Sequence, residues 1–170
     1  MNRPQTDEYA QYYEKYISLI PDGDLMRVLE EQIAEYNELF EKVPEESGTY
    51  RYDVGKWTCK ESLAHVIDVE RVFAYRLLRI SRGDETPLES FEQDDFVLHS
   101  NANGRTFKDL LDEFAYLRRA DISAIKGLSP EASLRSGTAS GNRVSVRALA
   151  YMMAGHAEHH KRIFAQNYLA

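Results

Sequence analysis

Apolar positions recur at three- and four-residue spacing along nearly the whole chain, the pattern of amphipathic helices rather than strands. A short N-terminal stretch carries Tyr9, Tyr12, Tyr13, Tyr16, Ile17 and Ile20 in this register and stops at Pro21-Asp22-Gly23. A first long helix follows, with Leu25, Val28, Leu29, Ile33, Tyr36, Phe40 and Val43 on one side and Pro44 as its end. Thr58-Cys59-Lys60-Glu61 reads as a capping box, in which the Thr hydroxyl takes a free N–H and the Glu reaches back. It opens a second long helix running to about Ser81, with Leu63, Val66, Ile67, Phe73, Ala74 and Leu77 on its apolar face. Residues 88–105 carry a weaker pattern, with a short helix around Asp94–Leu98 before the Asn101-Ala102-Asn103-Gly104 turn. Thr106, three residues before Asp109, marks the next start, and Phe107, Leu110, Leu111, Phe114, Leu117, Ile122 and Ile125 line one face until Gly127 and Pro130. Residues 136–142 read as a loop, and a last helix runs from roughly Ser145 to Tyr168.

Four long amphipathic helices with no convincing strand predict an all-α four-helix bundle. The Tyr-rich stretch is expected as a short helical arm over residues 1–21, packed on the bundle or at a dimer contact. Residues 22–170 are then a single bundle domain, a size that suits one core.

Charge narrows the partners. Twenty-one basic residues against twenty-eight acidic ones leave a net charge of −7, with no basic run, which argues against a nucleic-acid partner. No segment approaches the apolar length of a membrane span, and the N-terminus has no signal-peptide core, so no membrane association and a cytoplasmic location are expected. A single cysteine, Cys59, excludes an intrachain disulfide framework and a Cys-rich zinc site. At the start of the second helix its thiol pKa can be lowered by the helix N-terminus, but the expected role is packing rather than a functional nucleophile.

The candidate chemistry sits in Gly155-His156-Ala157-Glu158-His159-His160-Lys161, which holds three of the five histidines. Leu149, Met152, Met153, Ile163 and Phe164 define the inward stripe of the last helix, and His156 and His160 fall on it one turn apart. Such a pair can share one metal ion. The alternative is a pair of packing histidines, each needing hydrogen-bond partners once buried. His159 lies on the flank and can substitute for either. The segment is not the H-E-x-x-H of a zincin, because Ala157 stands where that motif has its glutamate.

A third ligand has to come from another helix. His65 lies on the shoulder of the second helix's apolar face, and Glu70 is a charge on the same arc, either a carboxylate supporting the ligands or half of an ion pair with a core arginine. Asp68, Glu70 and Tyr151 are candidates to orient groups at the site. His99 is expected to face solvent, Trp57 to be a packing anchor and Met152-Met153 to be core. No basic pocket is evident from the sequence.

With these residues placed, the chain resembles the DinB-like (damage-inducible) superfamily. The resemblance rests on "GKWTCKESLAHVIDVERVFAYRLLRISRGDETPL", "FEQDDFV" with "SNANGRTFKDLLDEF", and "GTASGNRVSVRALAYMMAGHAEHHKRIFAQNYL", covering most of residues 20–169. It implies an up-down-down-up bundle, often a homodimer, with one divalent metal held by one histidine of the second helix and two of the last. Carried onto this chain, these are His65, His156 and His160. A three-histidine set leaves positions open for water and substrate, and imidazole suits zinc, nickel, iron or manganese.

The resemblance implies a metal-dependent hydrolase, or an enzyme that transfers a low-molecular-weight thiol such as bacillithiol or mycothiol to a small-molecule electrophile. The competing expectation is a non-catalytic stress-response bundle whose metal site is structural or vestigial.

Overall fold

Each long helix begins where a short polar side chain takes one of the N–H groups that the first turn leaves free. Asp24 accepts from the Met26 amide at 3.0 Å, Thr58 from Glu61 at 3.1 Å, Thr106 from Asp109 at 3.1 Å and Ser145 from Ala148 at 3.1 Å. In the computed structural model, which describes residues 1–169, these caps open four helices: α2 (Leu25–Phe40), α3 (Cys59–Ser81), α5 (Phe107–Lys126) and α7 (Val146–Ile163). The Thr58–Glu61 capping box forms in both directions. Shorter helices fill the connections: α1 (Glu14–Ile17), α4 (Gln93–His99) and α6 (Pro130–Leu134). The first long helix stops at Phe40, a turn before Pro44, and a π-helical turn over Phe164–Tyr168 completes the last.

Cross-helix pairs fix the topology. Lys60 lies over the Phe107 ring and Glu70 bonds Arg118, so α3 and α5 run parallel. Gln32 meets Arg118 and Lys126 meets Glu30, so α2 opposes α5. Gln32 and Tyr36 donate to the Ala154 and Ala157 carbonyls, each at 2.8 Å, so α2 and α7 are parallel. The result is the up-down-down-up bundle.

Residues 136–142 are not a plain loop. They belong to a hairpin, β1 (Ser136–Ala139) and β2 (Asn142–Ser145), paired from Ser136↔Ser145 to Ala139↔Asn142. Its two turn residues, Ser140 (φ 50°) and Gly141 (φ 74°), both take positive φ, as a type I′ turn requires. Leu88 joins the hairpin edge, donating to Thr138 O at 2.9 Å and accepting from the Ser140 amide at 2.9 Å. The turn is thereby pinned against the α3–α4 connection.

The arm packs on α7. Its anchor is Glu8, whose carboxylate accepts from Ser145 Oγ at 2.6 Å and Arg147 Nε at 2.8 Å. That double contact holds the carboxyl down at about 2.

Two apolar clusters fill the bundle, one around Leu29, Phe73 and Leu149, the other around Tyr36, Leu63 and Phe164. Between them runs a polar seam. Arg118, fully buried, donates through Nη2 to Glu70 Oε2 at 2.6 Å and through Nη1 to Gln32 Oε1 at 2.5 Å. Asp121 lies beside this pair with Oδ2 buried and unpartnered, and burial followed by the Glu70 charge pushes its carboxyl up to about 7.

Removing one member of a buried ion pair strands the other, so Glu70→Ala should lower unfolding free energy by about 3–5 kcal/mol in chemical denaturation. A loss under about 1 kcal/mol contradicts the pairing. Asp121 carries the opposite kind of strain. Its folded pKa lies above the ordinary 3.8, so the fold binds this proton more tightly than the unfolded chain, and stability falls as pH rises from about 4 to about 7. Asp121→Asn removes that slope, and the variant should gain on wild type over this interval; a pH-independent difference refutes it.

Candidate metal centre

His65 sits two turns inside α3, on the side that meets α7, the helix carrying His156 and His160. The three rings converge with centroids 5.1 Å (His65–His156), 5.0 Å (His65–His160) and 4.6 Å (His156–His160) apart. One ligand-capable nitrogen from each lies within 4.8 Å of the others, and all three residues are buried. The helical spacing of His156 and His160 puts both on one stripe, and the antiparallel crossing brings His65 opposite them.

Burial decides the protonation state. Desolvation pushes His65 down to about 4, and it holds His156 and His160 well below the usual imidazole range, with repulsion among the histidines adding to it. All three rings are therefore neutral at pH 7, each with a lone pair available. Of the three, only His160 has a side-chain hydrogen-bond partner among the described residues, Ser62 Oγ at a long 3.5 Å from Nδ1.

This donor set suits a divalent transition ion: three neutral nitrogens, no competing carboxylate and little else to satisfy them. Two nitrogens sharing a tetrahedral zinc at about 2.0–2.1 Å stand roughly 3.3 Å apart, so the rings need to close by on the order of 1 Å. Rotation about the side-chain bonds can supply that. Imidazoles placed purely for packing would be expected to find other partners for their nitrogens.

Aromatic walls surround the cluster. The Trp57 ring lies against His65, centroids 4.6 Å apart and tilted by 45°, and its indole N–H donates to Asp94 Oδ1 at 3.1 Å, so it packs on a candidate ligand rather than only on the core. Tyr16, from the arm, sets its ring edge-on against His156 and His159, each at 5.3 Å. Beside them opens a pocket of about 260 Å³, lined by Tyr12, Tyr13, Tyr16, His65, Arg76 and His156 among others.

The other candidates fall elsewhere. His159 is half-buried and outside the converging set. Glu70 is the ion-pair partner of Arg118, not a support for the ligands. Tyr151 is buried in the apolar cluster around Leu149, and its hydroxyl lies 3.5 Å from Met1 O. Asp68 is half-buried, raised by burial, and does not line the pocket. His99 is exposed, on α4. Cys59 packs in the core and lacks the lowered thiol pKa that a helix start can give: it is 1 % exposed, and burial outweighs its place at the helix start, pushing the thiol up to about 12. Arg76 went unnoticed in the sequence, although it lies on the arc between Phe73 and Ile80, the same signal that singled out Glu70.

A sequence model of the DinB superfamily matches residues 28–164. No curated protein matches the chain. Among solved structures, YfiT from Bacillus subtilis, described as a probable metal-dependent hydrolase with an unusual four-helix bundle topology, superposes with a TM-score of 0.77. The identity is 16 %, over 96 % of this chain and 89 % of that one. The mycothiol-dependent maleylpyruvate isomerase superposes at 0.68 with 16 % identity over 91 % of this chain, which spans 63 % of that protein's length. At these identities the likeness is one of fold.

Gly155 keeps the arm against the site. A Cβ there would collide with the Tyr16 carbonyl, which is backbone and cannot swing aside. Gly155→Ala should therefore destabilise by about 1–2 kcal/mol, the overpacking cost partly offset by better helix propensity. It should also raise hydrogen exchange across residues 9–20. Unchanged stability and protection would mean the arm is not seated there.

Proposed function

The chain belongs to the DinB superfamily, and from that premise we propose that it is a metal-dependent enzyme in which His65, His156 and His160 hold one divalent ion. The observation that carries this reading is the convergence of three buried, neutral imidazoles from two helices at the wall of a pocket. Zinc, nickel, iron and manganese all accept such donors. The reaction class is hydrolysis, or transfer of a low-molecular-weight thiol to a small-molecule electrophile. The mycothiol dependence of one structural neighbour lends weight to the thiol branch.

A bound ion with open positions would supply Lewis acidity toward a water or thiol nucleophile. The chain's own groups prepare the place. Burial keeps the rings deprotonated, so metal binding at pH 7 displaces no proton from them. Ser62 Oγ steadies the His160 ring through Nδ1. Trp57 covers the outer face of His65, and Tyr16 covers His156, limiting water to the pocket side. The Tyr16 hydroxyl is held protonated by burial and by Tyr12 beside it, so it is a donor at the pocket wall, not a base.

The pocket beside the histidines favours a catalytic site over a closed structural one. Two measurements separate them. Mass spectrometry of tag-free protein should find about one divalent ion per chain, lost in His65→Ala and in His156→Ala. The cobalt-substituted protein should show a new thiolate charge-transfer band when a small thiol is added. A metal present without any thiol response would remove the thiol branch and leave a hydrolase or a structural site. No metal after reconstitution with zinc, nickel, iron and manganese would sink the reading altogether.

A further inference from the structure

Two deeply buried arginines of the bundle are treated differently. Arg118 has its counter-ion, Glu70, in bidentate contact. Arg76 is 3 % exposed, yet among the described residues it makes no ion pair. Its Nη2 donates to two neutral acceptors, Glu89 O at 2.7 Å and Ser140 Oγ at 2.8 Å, and its other neighbour is the Tyr13 hydroxyl. A guanidinium taken out of water without an anion is costly, and the planar fork still has donors to offer.

Its place indicates what is missing. Arg76 lines the same 260 Å³ pocket as His65 and His156, three turns along α3 from His65. Between them the walls are Val69 and the rings of Tyr13, Tyr16 and Phe73. Glu92, the carboxylate on the rim, is solvent-exposed and makes no ion pair with Arg76. The outer groove that Arg76 also borders holds Arg71 and Arg79, but these are already paired with Glu113 and Asp84.

We infer that the pocket takes a small organic acid, its carboxylate held by Arg76, its flat apolar body against Tyr13, Tyr16 and Phe73, and its reacting end toward His65 and His156. This deepens the metalloenzyme reading and rests on it for what happens at the reacting end. The recognition step depends only on the arginine and the rings. Contacts to Glu89 and Ser140 fix the guanidinium between the α3–α4 connection and the hairpin turn, so the anion site is set before the ligand arrives.

The test uses chelator-treated full-length protein, so that a carboxylate cannot bind through a metal. The probes are 4-phenylbutyrate and its neutral isostere 4-phenylbutyramide, followed by calorimetry and by the ring proton resonances of His65 and His156. The acid should bind at least tenfold more tightly than the amide and shift both histidines. Arg76→Gln should reduce the preference to within twofold, and Arg76→Lys should retain part of it. Equal affinity of acid and amide for wild type overturns the proposal, as does a preference that survives Arg76→Gln or leaves both histidines unshifted. Should Arg76→Gln fail to fold, the wild-type comparison and the histidine shifts still decide. Because no metal is present, the outcome stands apart from the metal-content experiment: an acid preference in a chain that binds no ion would leave a carboxylate-binding module.

Discussion

Desolvation of imidazole at the α3–α7 contact is the constraint around which the rest of the structure is arranged. Three rings sit with centroids 4.6–5.1 Å apart, where charge on any of them is penalised by burial and by its neighbours. Their neutrality requires a tight contact, and α7 supplies it with small residues. Ala154 and Ala157 give carbonyls to Gln32 and Tyr36 of α2, and Gly155 admits the Tyr16 backbone on the other side. The arm, the hairpin and α4 then cover the remaining approaches, with Tyr16, Ser140 and Trp57–Asp94 as their points of contact.

Polar groups in the interior divide by what satisfies them. Gln32, Glu70 and Arg118 complete one another, and their seam between two apolar clusters fixes the level at which four helices meet. Such a network specifies register more than it adds stability. The histidines and Arg76 are the contrasting set: buried like the seam, but with lone pairs and donors that the protein leaves unused. Asp121 belongs to neither. It is a carboxyl raised by its surroundings, and it does not line the pocket beside the histidines.

Much of this was legible in the chain. Thr58 and Glu61 announced the start of α3, Thr106 that of α5, and the stripe through Leu149 and Ile163 placed His156 and His160 inward, because caps and periodicity are local properties. His65 came from the superfamily resemblance, since periodicity put it only on a shoulder. Long-range pairing stayed hidden. Glu70 had two readings until Arg118 was seen against it. At Cys59 the helix start says nothing about how deeply that turn is buried, and burial sets its pKa. The hairpin was missed although Ser140-Gly141 is a workable I′ turn, since its strands are four residues each and carry few apolar side chains. Arg76 reaches the pocket only because loop and hairpin close over it, and the seating of Tyr16 beside His156 likewise depends on tertiary contact.

X-ray absorption on protein reconstituted with zinc asks directly whether the three histidines share one ion. The expected result is three imidazole nitrogens at about 2.0–2.1 Å with at least one light, exchangeable scatterer, replaced by sulfur when a thiol is added. Loss of the imidazole signature in His65→Ala would tie it to this cluster. A fully protein-ligated ion unmoved by thiol, or an imidazole signature that survives removal of His65 unchanged, would contradict it.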